Sequence, residues 1–307
     1  MIANFFQKTK PIHAIIISGL FLVYFFAAIF VVEPPPFSFL LILKKLGLLF
    51  VFIILFFLVR FINRKNFLSE MNAYVLLILA ILFGAFPKAM GMDNLFIAHF
   101  LLLFSFRRIY SIRTFKSVSQ KLFDSGFWIG TACLFYSFSA VFLVLVFATA
   151  LVHKKNSIRN ILIPIVGFIT PLFLAFTYFF ITNDVTSFYQ KLIVVYSFDF
   201  DEYLKWSILI PFTVLTVLAV MSLVLVSIKS ASLSNDFKQS WLLIIIHFLC
   251  SVYIILMAPS KDGSELLFAF FPLIIIITNY LQLLNRNIFR EIVVYTLLAV
   301  SLCAYIL

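Results

Sequence analysis

The chain has 307 residues, of which 64% are hydrophobic and 11% charged, less than half the roughly 25% charge of soluble domains. That balance excludes a water-soluble globular protein. At roughly 20 apolar residues per crossing, it leaves room for about ten membrane spans and none for a sizeable soluble domain. The expected fold is therefore all-α, a polytopic transmembrane helical bundle forming one integral membrane domain over residues 1–307. The net charge of +11 does not argue for nucleic acid as a partner, because Lys and Arg collect in the cytoplasmic loops of membrane proteins.

In chain order, Lys8 and Lys10 precede an apolar run to Val32. The run is too long for a signal peptide and lacks a small-x-small cleavage site, so it reads as an uncleaved first helix with a cytoplasmic N-terminus. It stops at Glu33-Pro34-Pro35-Pro36, since three prolines cannot continue a helix, and leaves a carboxylate at the membrane face. A second span, about 37–61, runs into a basic loop with Arg64 and Lys65. Two short spans, about 72–86 and 94–106, flank a loop holding Lys88 and Asp93. Residues 106–123 alternate five Lys or Arg with apolar residues, the pattern of an interfacial helix on anionic headgroups.

The stretch from Asp124 to Val152 is too long and too interrupted for one plain span. If it crosses once, the loops carry 13 Lys and Arg inside against 10 outside; if it enters and returns, they carry 17 against 6. The second division follows the positive-inside rule. A broken helix pair at about 125–152 is therefore expected, with Gly126 and Gly130 allowing close backbone packing and Asp124 capping the first short helix. A basic loop then precedes a span at about 161–181 containing Pro164 and Pro171. The acidic connection 182–205 falls outside, and spans at about 206–228, 241–257, 266–284 and 292–307 complete the chain with an external C-terminus.

The chemistry is less legible than the solvent. His13, His99, His153 and His247 lie on four separate elements without metal-ligand spacing, and no phosphate-binding glycine loop or nucleophile elbow is present. No cofactor and no metal are expected. The external polar residues are more informative: Lys88 and Lys261 suit a phosphate, and Glu33 or Asp93 suits a catalytic base, if Glu33, Lys88, Asp93, Asn94, Lys261, Asp262 and Glu265 converge. The bland alternative is solvated loop charges. Trp128, Tyr136, Tyr178, Tyr189, Tyr196, Tyr203, Trp206 and Trp241 near helix ends read as an interfacial belt.

The run Asn94-Leu-Phe-Ile-Ala-His-Phe, the stretch Leu122-Phe-Asp-Ser-Gly-Phe-Trp-Ile-Gly-Thr-Ala-Cys-Leu-Phe-Tyr and Arg159-Asn-Ile-Leu-Ile-Pro-Ile-Val-Gly together resemble an uncharacterised multi-pass inner-membrane family of Bacteroidota. More distantly they are similar to GT-C-type glycosyltransferases and O-antigen polymerase-like proteins. That resemblance implies a bacterial inner membrane and a polyprenyl-phosphate-linked glycan as substrate, with Glu33 matching the acidic residue of the first external loop. The proline stub around Glu33 departs from the usual acidic pair. Three functions stay open, in this order: a cell-envelope protein that binds or processes a lipid-linked glycan, a non-catalytic subunit of an inner-membrane machine, and a transporter. Membrane lipids and other membrane subunits are the expected partners.

Overall fold

The computed structural model describes residues 2–32, 39–91, 93–155 and 157–307, and within them the chain is helical, with no strand. Glu33 lies outside the described residues. Eight helices among these residues are long and apolar enough to cross a membrane, and Tyr74–Ala85 and Ser137–Val152 are shorter apolar segments. Together they make the polytopic bundle that composition demands. The contacts group the chain into two compact units: residues 1–91, 199–234 and 261–307 form the first, and residues 92–198 and 235–260 the second.

The first unit is built around a short helix. Its elements are α1 (Ile2–Phe6), α2 (Pro11–Ala27), α3 (Phe39–Asn66) and α4 (Tyr74–Ala85). The second unit then contributes α5 (Asn94–Tyr110), α6 (Val118–Cys133), α7 (Leu143–Val152), α8 (Ile158–Ile181) and α9 (Val185–Leu192). The first unit resumes with α10 (Trp206–Ser230), the second with α11 (Asn235–Met257), and the first closes with α12 (Leu267–Leu283) and α13 (Asn287–Ile306).

With twelve residues, α4 extends only about 18 Å and is too short to bridge the ~30 Å hydrocarbon layer. It does not have to, because α2, α3, α12 and α13 pack around it and every residue from Val75 to Ala85 except Leu76 is buried. Phe83 sits edge-on to Phe52 and Phe270, with ring centroids 5.0 and 5.2 Å away. Protein, rather than lipid, is the solvent of α4.

The second unit packs through missing side chains. A Cβ on Gly126 would overlap the carbonyl of Pro164, one on Gly130 would overlap that of Phe168, and one on Gly167 would overlap that of Phe123. Gly126 and Gly130 stand one helical turn apart on α6, and the only buried residues of α8 are Pro164, Gly167 and Pro171. In lipid, where apolar burial between helices gains little, such backbone approach is what gives van der Waals contact its grip. Helix α8 runs unbroken through both prolines.

The stretch that resists reading as one span is indeed a pair. Helix α6 ends at Cys133, residues 134–136 turn, and a 3₁₀ segment Ser137–Phe142 leads into α7. Lys88 and Asp262 approach to 3.7 Å, and between them in sequence lie α5, α8, α10 and α11, four of the helices long and apolar enough to cross a membrane.

Three local expectations change. Helix α6 starts at Val118, so Asp124 lies inside it and pairs with Arg108 at 2.8 Å instead of capping. Residues 106–123 are not one interfacial helix: α5 runs to Tyr110, a 3₁₀ turn covers Ser111–Thr114, and Phe115 and Ser117 adopt positive φ before α6. The reversal holds because Lys121 is buried and donates to the Ser111 carbonyl at 2.6 Å and to Thr114 Oγ1 at 2.7 Å. The connection 182–205 is not all loop either, since Asp184 accepts from the Ser187 N–H at 3.4 Å and from its hydroxyl at 2.8 Å and so starts α9.

Candidate functional site

At the Ala85 end of α4 the chain turns through Pro87–Met90 and places Lys88 beside the turn before α12. That turn, Lys261 to Leu266, is shaped by Gly263 at φ +92°, a conformation open to glycine and costly for other residues. Asp262 Oδ1 accepts from the Ser264 N–H at 3.1 Å and from its hydroxyl at 2.6 Å. The Gly263 N–H donates to Glu265 Oε2 at 3.1 Å. The turn thus aims two carboxylates differently: Asp262 keeps a third of its side chain exposed, whereas Glu265 is wholly buried.

The second wall arrives from far along the chain. Residues Asp201–Leu204 form a short 3₁₀ turn that buries Tyr203, whose hydroxyl donates to Glu265 Oε1. Burial, with the Glu265 charge beside it, pushes the Tyr203 phenol far above its usual range. Tyr203 is therefore a fixed donor at any physiological pH. Lys261 is 5% exposed, and its ammonium lies 4.4 Å from the centre of the Phe200 ring, a cation–π position. Desolvation lowers its pKa, and the charge of Glu265 opposes that shift.

The cluster gathers two basic and two acidic side chains, Lys88, Lys261, Asp262 and Glu265, from two chain segments, with Tyr203 from a third. Roles divide by access. Lys88 and Asp262, each more than a third exposed, are the groups a ligand reaches: an ammonium for a phosphate oxygen and a carboxylate for a hydroxyl. Glu265, Tyr203 and Lys261 are buried and hold the turn in shape.

Asp93 and Asn94 belong to the second unit. Asp93 accepts from the Phe96 N–H at 2.8 Å and caps α5 in the second unit, and Asn94 is the first residue of that helix. Tyr203 is what the sequence reading missed: counted there as part of an aromatic belt, it is a buried partner of Glu265. Trp241 is buried as well, while Tyr178, Tyr189, Tyr196 and Trp206 remain exposed as a belt requires. In the second unit, Tyr110 and His247 hydrogen-bond at 2.9 Å, oxygen to Nδ1, inside a shell that includes Phe106 and Phe142. Among the described residues no three His, Cys, Asp or Glu side chains gather as a metal site.

Long apolar helices, one short helix sheathed in protein and a polar cluster at its end define a multi-pass helical membrane protein. The chain belongs to DUF6427, a family of unknown function whose model matches residues 1–307. No curated protein and no solved structure matches it.

Proposed function

We propose that the protein is a GT-C-like component of the bacterial cell envelope that binds a polyprenyl-phosphate-linked glycan at the face of the inner membrane. The observation that carries this reading is the convergence of Lys88, Tyr203, Lys261, Asp262 and Glu265 from three separated stretches. A phosphorylated sugar needs a cation for its phosphate and acceptors for its hydroxyls, and the reachable pair of Lys88 and Asp262 offers one of each. On this reading the N-terminus is cytoplasmic, and the cluster, Glu33 and the C-terminus belong to the external side. Glu33 is the group left for acid or base chemistry, since Asp93 is occupied as a helix cap.

The test uses the full chain in lipid nanodiscs with undecaprenyl phosphate as probe. Binding to the wild type, lost in K88Q/D262N and kept in K191Q, supports the reading; equal binding by all three ends it. Unchanged envelope glycans in cells carrying Glu33→Ala would remove any catalytic part and leave recognition alone.

A further inference from the structure

The opposite end of α4 borders a second site that the glycan reading does not use. A cavity of about 640 Å³ opens at the C-terminal end of α3, lined by Phe57, Arg60, Phe61, Arg64, Lys65, Phe67 and Met71. An adjoining cavity of about 470 Å³ shares Arg60, Arg64, Phe67 and Met71 and adds Glu70. We propose that this cavity holds the phosphate headgroup of an anionic membrane lipid, with an acyl chain lying along Phe57 and Phe61.

Charge is the first argument. Arg60, Arg64 and Lys65 bring three positive charges, none within 4.0 Å of a carboxylate among the described residues, and Glu70 is the one acidic residue along the two walls. The partial negative charge of the helix C-terminus, roughly half a unit, offsets only part of the excess. Arg60 and Arg64 are one turn apart on the same face, so both guanidinium forks reach the same space, and a guanidinium binds phosphate through paired N–H groups.

Depth is the second. Arg60 falls inside the apolar span 42–66, about 9 Å before its end at 1.5 Å per residue. Arg64 and Lys65 alone would mark this loop as basic. An arginine set deeper in the apolar stretch is costly unless an anion or water meets it. Phe57 and Phe61 continue the same strip toward the membrane interior, their rings stacked at 6.2 Å, and the Lys65 ammonium lies 5.2 Å from the Phe61 ring centre. Aromatic surface thus passes into cationic surface along one face, as a lipid passes from chain to headgroup.

Backbone geometry is the third. Helix α3 ends in a Schellman cap, with the Leu68 N–H donating to the Asn63 carbonyl at 3.2 Å and Phe67 at φ 52°. That left-handed position usually holds glycine. A bulky aromatic there carries strain of the kind that concentrates at binding sites, and Phe67 presents its exposed ring to both cavities. Basic pockets beside helices on the cytoplasmic face recognise anionic headgroups.

Native mass spectrometry of the full chain in detergent tests the proposal with dioleoyl-phosphatidylglycerol and dioleoyl-phosphatidylcholine as probes. The wild type should retain the glycerol lipid over the choline lipid. R60Q/R64Q should bind it roughly thirtyfold more weakly, from the contribution of each basic residue near an anionic surface, while R60K/R64K keeps most of the binding and R286Q keeps all of it. Equal retention of the two lipids, or unchanged binding in R60Q/R64Q that elutes as folded protein, overturns the proposal. Displacement of the glycerol lipid by millimolar inorganic phosphate also overturns it, assigning the cavity to a soluble phosphate ester. Undecaprenyl phosphate binding through Lys88 is a separate measurement, so either reading can fail alone.

Discussion

The two ends of α4 carry charge in opposite ways. At the Ala85 end, two cations and two carboxylates are interlocked and partly buried, with Glu265 wholly out of solvent and bonded at both oxygens. At the Tyr74 end, three cations outnumber the nearby carboxylate and stand exposed around an open cavity. At the first end the buried groups hold a shape and leave Lys88 and Asp262 for a ligand; at the second all three cations are open to one. The difference teaches where each end is vulnerable: the first in stability as well as binding, the second in binding alone.

The largest effect should come from Glu265→Ala. It strands the Tyr203 hydroxyl, the Gly263 N–H and the charge of Lys261 in a buried place, at about 3–5 kcal/mol for breaking such a set; thermal unfolding in detergent measures it, and Glu265→Gln should recover part of the loss by keeping an acceptor for Tyr203. Gly263→Ala comes next, destabilising by about 1–2 kcal/mol because a Cβ is strained at φ +92°. At the other end the sign should reverse: Phe67→Gly relieves the left-handed strain and stabilises by about 1 kcal/mol in the same assay. Smallest is R60Q/R64Q, within about 0.5 kcal/mol of wild type, because both arginines are exposed and neither has a carboxylate within 4.0 Å among the described residues. A loss of several kcal/mol in R60Q/R64Q, or none in Glu265→Ala, would break the contrast.

Much of the fold was legible in the sequence because lipid imposes simple rules. Span length and hydropathy made the apolar helices readable, and the break expected within residues 125–152 is present between α6 and α7. Helix ends were less legible. Asp124 reads as a cap, yet α6 begins six residues earlier, at Val118, where Lys121 ties back to the preceding turn.

The site was legible only in part. Lys88, Lys261, Asp262 and Glu265 stood out as polar residues in loops on one side, and they meet. Tyr203 did not stand out, because its partner lies 62 positions away and nothing in a tyrosine near a helix end distinguishes a buried donor from a belt residue. Arg60 and Arg64 were hidden by a sufficient explanation, the ordinary excess of basic residues in cytoplasmic loops.

The glycine seam between α6 and α8 has a consequence for how the chain is made. Gly126 and Gly130 have no side chains to offer lipid, and their fit is to a surface around Pro164, Phe168 and Pro171 that follows them in the chain. At ~5–20 residues per second of synthesis, α6 leaves the ribosome some seconds before that surface exists. During this interval the face carrying Gly126 and Gly130 has no α8 to meet, so the seam forms only after residues 164–171 have been synthesised.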